Sequence, residues 1–127
     1  MTSNLLADLD DGLAEYGQNV TLRRTAAQAA DNANHDVVVR ARVDTIDIVQ
    51  LASGVFEQTV HVIISPTQII AAGWPGDGSE PSATIEDPTQ PMNGDVLLIN
   101  GRSFVVGMVD PKVVGDVLVR IEMRAVG

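Results

Sequence analysis

The sequence predicts a mainly β protein: a small antiparallel β-barrel or sandwich with an N-terminal α-helix and long loops. Three observations carry that expectation. The apolar residues, 45% of the chain, are mostly Val, Ile, Leu and Ala, and Val and Ile favour strands. Val37, Val39, Ala41 and Val43 alternate with Val38, Arg40, Arg42 and Asp44, a period of two that buries one face and wets the other. Asn100-Gly101 stands between two apolar runs, the strongest short hairpin signal a sequence carries. A length of 127 residues argues for one domain, 1–127.

Residues 1–17 read as a helix. Leu5, Leu9, Leu13 and Tyr16 recur at helical spacing and share one face, a surface that needs a partner on the barrel or on a neighbouring subunit. Ser3 or Asn4 is the candidate cap, Asp8 suits the positive end of the helix dipole, and Gly17 suits the exit. A barrel then spans 18–126. Val20 and Leu22 alternate with Thr21 and Arg23 in the first strand. Residues 26–35, rich in Ala, Asn and Asp, read as an exposed connection before the strand at Val37–Val43. Residues 45–58 fit neither period, and Ala52-Ser53-Gly54 marks a flexible point among them.

Val60, Val62 and Ile64 restore alternation. Ser65-Pro66 ends that strand, and Pro66 suits the first turn of a short helix through about Ala72. Residues 73–94 hold four of the six prolines, four glycines and no basic residue, and predict a long loop. Asp95–Ile99 and Arg102–Val109 form the hairpin about Asn100-Gly101. Asp110-Pro111 is expected to turn the chain, and Gly115 to allow a second turn. Val117, Val119, Ile121, Met123 and Ala125 alternate in a last strand regular enough to sit inside the sheet. The total is five or six strands.

Charge and composition exclude several functions. Net charge is −9, with one Lys and seven scattered Arg, so a clustered cationic surface for duplex phosphates is missing. Aromatics are 3%, too few for a single-strand stacking platform. There is no Cys, which excludes disulfides and thiolate metal sites and fits a reducing cytoplasm. The N-terminus lacks a charged signal-peptide region, and no apolar run reaches membrane-span length.

Tests for chemistry are negative. Asp8-Leu9-Asp10-Asp11-Gly12 fails as a calcium loop, because its glycine comes one position early and Asn19 stands where the closing glutamate belongs. His35 and His61 lie far apart, without metal-ligand spacing or a visible catalytic partner; His61 is expected exposed or at an interface. Ser53 and Ser65 lack a nucleophile elbow. The glycines about Trp74 do not bridge a strand and a helix, so they make no dinucleotide fingerprint. Trp74 reads equally as a loop anchor or as an interface hot spot. No catalytic residue, cofactor or metal site is expected, and the chain does not read as an enzyme.

The order of features resembles a known family. The strand Val20-Thr-Leu-Arg-Arg24, the strand Val37–Val43, an irregular apolar insertion at Thr45–Gln58 and a strand ending at Pro66 come first. The hairpin from Asp95 to Gly107, then Val109-Asp110-Pro111 and the final strand Val117–Arg124 complete it. Over residues 18–126 this pattern is similar to the head–tail joining, or head completion (stopper), proteins of siphophage necks. The segment Tyr16-Gly-Gln-Asn-Val20-Thr-Leu-Arg-Arg24 also resembles the opening of small neck proteins of proteobacterial prophages. The long segment 73–94 departs from the shortest family members.

The resemblance implies a barrel made in the bacterial host cytoplasm and assembled in the virion neck as a homo-oligomeric ring, as a rule a dodecamer. Its partners would be portal and adaptor proteins on one side and a tail terminator or tail tube protein on the other. Duplex DNA would pass non-specifically through the channel, and no membrane is involved. The insertion after the second strand would be the channel loop that retains DNA: Thr45, Ile46, Asp47, Ile48, Val49, Gln50, Leu51, Ala52, Ser53 and Gly54. Trp74, Leu5, Leu9, Leu13 and Tyr16 are the candidate interface residues. A tail terminator or another neck connector is the neighbouring alternative; a small β-barrel ligand-binding module or enzyme is the alternative from another class.

Overall fold

The computed structural model describes residues 2–78 and 89–127. Helix α1 (Thr2–Tyr16) leads into β1 (Gln18–Arg24), β2 (His35–Gln50) and β3 (Phe56–Ile64). A short helix α2 (Thr67–Ala72), then β4 (Val96–Ile99), β5 (Arg102–Val114) and β6 (Val117–Val126) follow. All ladders are antiparallel, and the strand order β1-β2-β3-β6-β5-β4 closes on itself through β4 and β1 as a barrel. The expected β class and leading helix are therefore observed, with β6 inside the sheet between β3 and β5.

Alternation builds the interior. Val20 and Leu22 of β1, Val37, Val39 and Ala41 of β2, and Val60, Val62 and Ile64 of β3 all point inward and are buried. Leu97, Phe104, Val106, Ile121, Met123 and Ala125 complete the same core. At the β4–β5 turn Asn100 and Gly101 both take positive φ, 50° and 80°, as a two-residue turn matched to strand twist requires. Gly115 and Asp116 make an equivalent turn between β5 and β6, with φ of 56° and 65°.

Three sequence expectations are corrected. Asp110-Pro111 does not turn the chain: Pro111 lies within β5, opposite Ile121. Strand β4 pairs with β5 as far as Val105, and Val106 still exchanges backbone bonds with Asp95 and Gly94; past Val106 no described strand pairs with that edge of β5, so a proline there gives up no ladder bond on that side. Residues 45–58 are not an irregular loop. β2 runs on to Gln50 and β3 begins at Phe56, so the segment is a continued hairpin. Its pattern looked irregular because Ile46 is an extra residue in a β-bulge between Thr45, opposite Val60, and Asp47, opposite Thr59. The connection 26–35 is mostly exposed, but Ala29 is buried and His35 already opens β2.

A polar assembly beneath the barrel fixes the loop after α2. Arg24 and Asp95, 1% and 0% exposed, form a two-pronged ion pair at 2.7 and 3.1 Å. Arg24 also donates to the Gln90 carbonyl at 2.8 Å, and Asp95 accepts from the Met92 N–H at 2.8 Å. The Arg24 guanidinium stacks 4.7 Å from the Trp74 ring centroid, and the indole N–H donates to the His35 carbonyl at 2.9 Å. Trp74, 5% exposed, thus anchors the loop to the barrel. Residues 79–88, including Pro81 and Pro88, lie outside the described residues, as do the side chains of Ser3 and Asn4.

Candidate functional site: the projecting β2–β3 arm

The two longest hairpins overrun the barrel at opposite ends. Strands β3 and β6 pair from Ile64 opposite Ile121 to Thr59 opposite Val126, and one more rung joins Gln58 and Gly127 by paired backbone bonds of 2.8 and 2.9 Å. Beyond that rung β2 and β3 continue together, from Val49 opposite Glu57 to Gln50 opposite Phe56 and into the turn, with no third strand beside them among the described residues. The tip is closed by Leu51 N–H to Val55 O and Gly54 N–H to Leu51 O, with Gly54 at φ 84°. This is the arm. At the other end the β5–β6 hairpin extends to Gly115-Asp116.

Every residue expected in the channel loop, Thr45 to Gly54, lies on this arm or at its base, and all are exposed. Ile46, Ile48, Val49, Leu51, Val55 and Phe56 are each at least 42% exposed, an apolar concentration that the described residues leave uncovered. The arm's only charged side chains are Asp47 and Glu57, and no Lys or Arg occurs between Arg42 and Arg102. At the base, Arg102 donates to the Gly127 carbonyl at 2.6 Å and to the Phe56 carbonyl at 3.3 Å, tying the arm to the start of β5. Sequence reasoning missed Arg102, because nothing local in the chain marks an arginine that will meet backbone 46 residues away.

The expected helix face is divided. Leu13 is buried at 6% against the barrel, while Leu5 and Tyr16 are 50% and 83% exposed. Leu5 and Leu9 line an open groove with Pro111, Val113, Val114 and Val119 of the β5–β6 hairpin. Arg40 closes the helix end, donating to the carbonyls of Leu13, Ala14 and Gly17 at 3.1, 3.1 and 2.7 Å, where the dipole favours a cation. The acidic run is helical, and Asp10 accepts from the Thr67 hydroxyl at 2.7 Å, which ties α1 to α2.

Both histidines have carboxylate neighbours that spacing did not show. His35 Nε2 lies 2.8 Å from both Asp31 oxygens, and the imidazole hydrogen bond holds the Asp31 carboxyl below its ordinary range. His61, on the outer face, lies 3.1 Å from Glu122, which also receives Arg120 at 2.9 Å. These pairs are separate from each other and from the arm. Among the described residues no group of three His, Asp or Glu side chains is placed to hold a metal. No protein-family model and no curated protein matches the chain.

Proposed function

We propose that this chain is a head completion (stopper) protein of a tailed-bacteriophage neck. In this reading it forms a ring that joins portal and adaptor to the tail, and its β2–β3 arm reaches into the bore to retain packaged DNA. The observation that carries the proposal is the arm. It is a regular hairpin pushed past the last shared rung of the barrel, exposed on all sides, at the position where the resemblance puts the channel insertion. From Ile48, at the last shared rung, to Ser53 it projects roughly 16 Å at strand rise, most of the width of a duplex.

The chemistry of the arm supports the same reading. An element that touches DNA only to block it needs bulk and rigidity without affinity, since clustered cations would hold the duplex in the bore. The arm has two carboxylates and no cation, and the whole stretch 43–101 is free of Lys and Arg. Backbone pairing across the arm supplies stiffness that a flexible loop of the same length would lack.

The test replaces residues 46–59 with Asn-Gly. Thr45 and Val60 face each other in the ladder, so a two-residue turn closes the shortened hairpin without touching the buried core. The truncated protein is expected to fold with a Tm within a few degrees of the parent chain, while heads completed with it lose their DNA. Heads that keep their DNA sink the stopper reading, and recovery of the chain on free tails assigns it to a tail terminator instead.

A further inference from the structure

Two asparagine–glycine pairs occur in the chain, Asn93-Gly94 and Asn100-Gly101, and every other asparagine precedes a bulkier residue. In such a pair the glycine nitrogen can reach the asparagine side chain, because no Cβ on the glycine obstructs the approach. The fold treats the two pairs differently. The peptide bond of Asn93-Gly94 is braced at both of its polar groups. The Gly94 N–H donates to the Val106 carbonyl at 2.8 Å, and the Asn93 carbonyl accepts from the Gln28 side-chain amide at 2.9 Å. The Gln28 side chain also fills the space that a Cβ on Gly94 would take. Asn100-Gly101 is the exposed tip of the β4–β5 hairpin. The Gly101 N–H has no acceptor among the described residues, and nothing lies within 4 Å of where a Cβ on Gly101 would stand.

We propose that Asn100 is a site of spontaneous deamidation and that the fold shields Asn93 from the same reaction. The reaction is intramolecular and needs only water. The Gly101 N–H gives up its proton to solvent, and the nitrogen bonds to Asn100 Cγ. The Cγ–Nδ2 bond breaks, and Nδ2 takes up a proton and leaves as ammonia. Water then opens the five-membered imide. Cleavage of the new Cγ–N bond leaves aspartate at position 100. Cleavage at the backbone carbonyl leaves isoaspartate, with the chain routed through the former side chain. Nothing is oxidised or reduced: water is consumed, ammonia is released, and one carboxylate is added to a chain whose net charge is −9.

The position gives the change a structural consequence. A two-residue turn joins Ile99 to its ladder partner Arg102. Isoaspartate lengthens the backbone inside that turn, where positive φ at both positions matches the twist of the strands. Strand β4 is only four residues long, and it is the strand that closes the barrel onto β1. Deamidation at Asn100 therefore loosens the seam of the barrel. Asn93, by contrast, lies in the turn that leads into Asp95 and its buried pair with Arg24, and there the bracing bonds keep it intact. The proposal stands on these two turns and is independent of the neck reading.

The test ages the full chain in mildly alkaline buffer and follows both sites by mass spectrometry after digestion with a protease that cuts before aspartate. A cut before Asp95 separates the two asparagines, and a cut before Asp110 bounds the second peptide. Aspartate at position 100 creates a new cut, whereas isoaspartate resists the protease and accepts a methyl group from an isoaspartyl methyltransferase. Asn100 is expected to convert at least about tenfold faster than Asn93, since two hydrogen bonds of ordinary net strength hold the Asn93-Gly94 peptide. Unfolding in urea should speed Asn93 by a similar factor and bring the two rates together, because the bracing bonds exist only in the fold. Conversion of Asn93 as fast as Asn100 in the folded chain, no conversion at Asn100, or an Asn93 rate that urea leaves unchanged would overturn the proposal. None of these readouts uses DNA retention, so the stopper reading and this one fail separately.

Discussion

Replacing Asp95 with alanine removes one half of an ion pair whose members are 1% and 0% exposed. Arg24 keeps the Gln90 carbonyl and the face of Trp74 but loses the Asp95 carboxylate, and the Met92 N–H loses the Asp95 oxygen it donates to. Breaking a buried ion pair from one side costs about 3–5 kcal/mol. Domains of this size hold about 5–15 kcal/mol in total, so the variant should be near the edge of stability. At roughly 4 °C per kcal/mol, Tm should drop by about 12–20 °C.

Trp74 is the only tryptophan and is buried beside the pair, so its emission follows unfolding in urea. Far-UV circular dichroism guards against local quenching changes. The double variant Arg24→Met/Asp95→Leu removes both charges and should recover most of the loss, since well-packed apolar replacements of buried pairs are often neutral. A loss below about 1 kcal/mol for Asp95→Ala would refute the reasoning, because it would mean that water reaches the guanidinium.

Two further outcomes follow from other contacts. Arg40→Ala should release the end of α1 by removing three charge-assisted bonds to helix-end carbonyls. That should cost about 1–3 kcal/mol and raise amide exchange in residues 5–16, and unchanged exchange would contradict it. Acid should weaken the fold in a defined direction. The Arg23 guanidinium, bonded through two nitrogens, holds the Asp36 carboxyl below its ordinary range, and His35 does the same for Asp31. A depressed carboxyl stabilises the fold above its unfolded pKa of about 4 and loses that contribution as pH falls through the lower folded value. Thermal melts from pH 6 to 2 should therefore show a shallower acid decline for Asp36→Asn than for the parent chain; parallel curves would contradict the assignment.

What was legible in the sequence was local. Asn100-Gly101 forces its own turn through two positive φ angles, and β6 announces its inward face by unbroken alternation. The arm was half legible. Its residues were marked out because they broke the period, but a bulge moves the period by one residue and cannot be placed without the opposing strand. Thus Asp47 to Gln50 read as irregular when they are paired strand. Pro111 misled for a related reason: a proline reads as a breaker unless its edge is known to be free, and that depends on β4 being only four residues long. The Arg24–Asp95 pair joins residues 71 apart, and no spacing rule points from one to the other. The helix face was read as uniform, yet burial reaches Leu13 and not Tyr16, because α1 meets the barrel only along part of its length.

The most direct test is an image of an assembled particle with this chain located in it. The account expects a closed ring between portal and tail, with Ile46–Gln58 of every copy directed at the central axis. A ring whose arms lie along its outer wall, or particles that lack the chain at the neck, would contradict it.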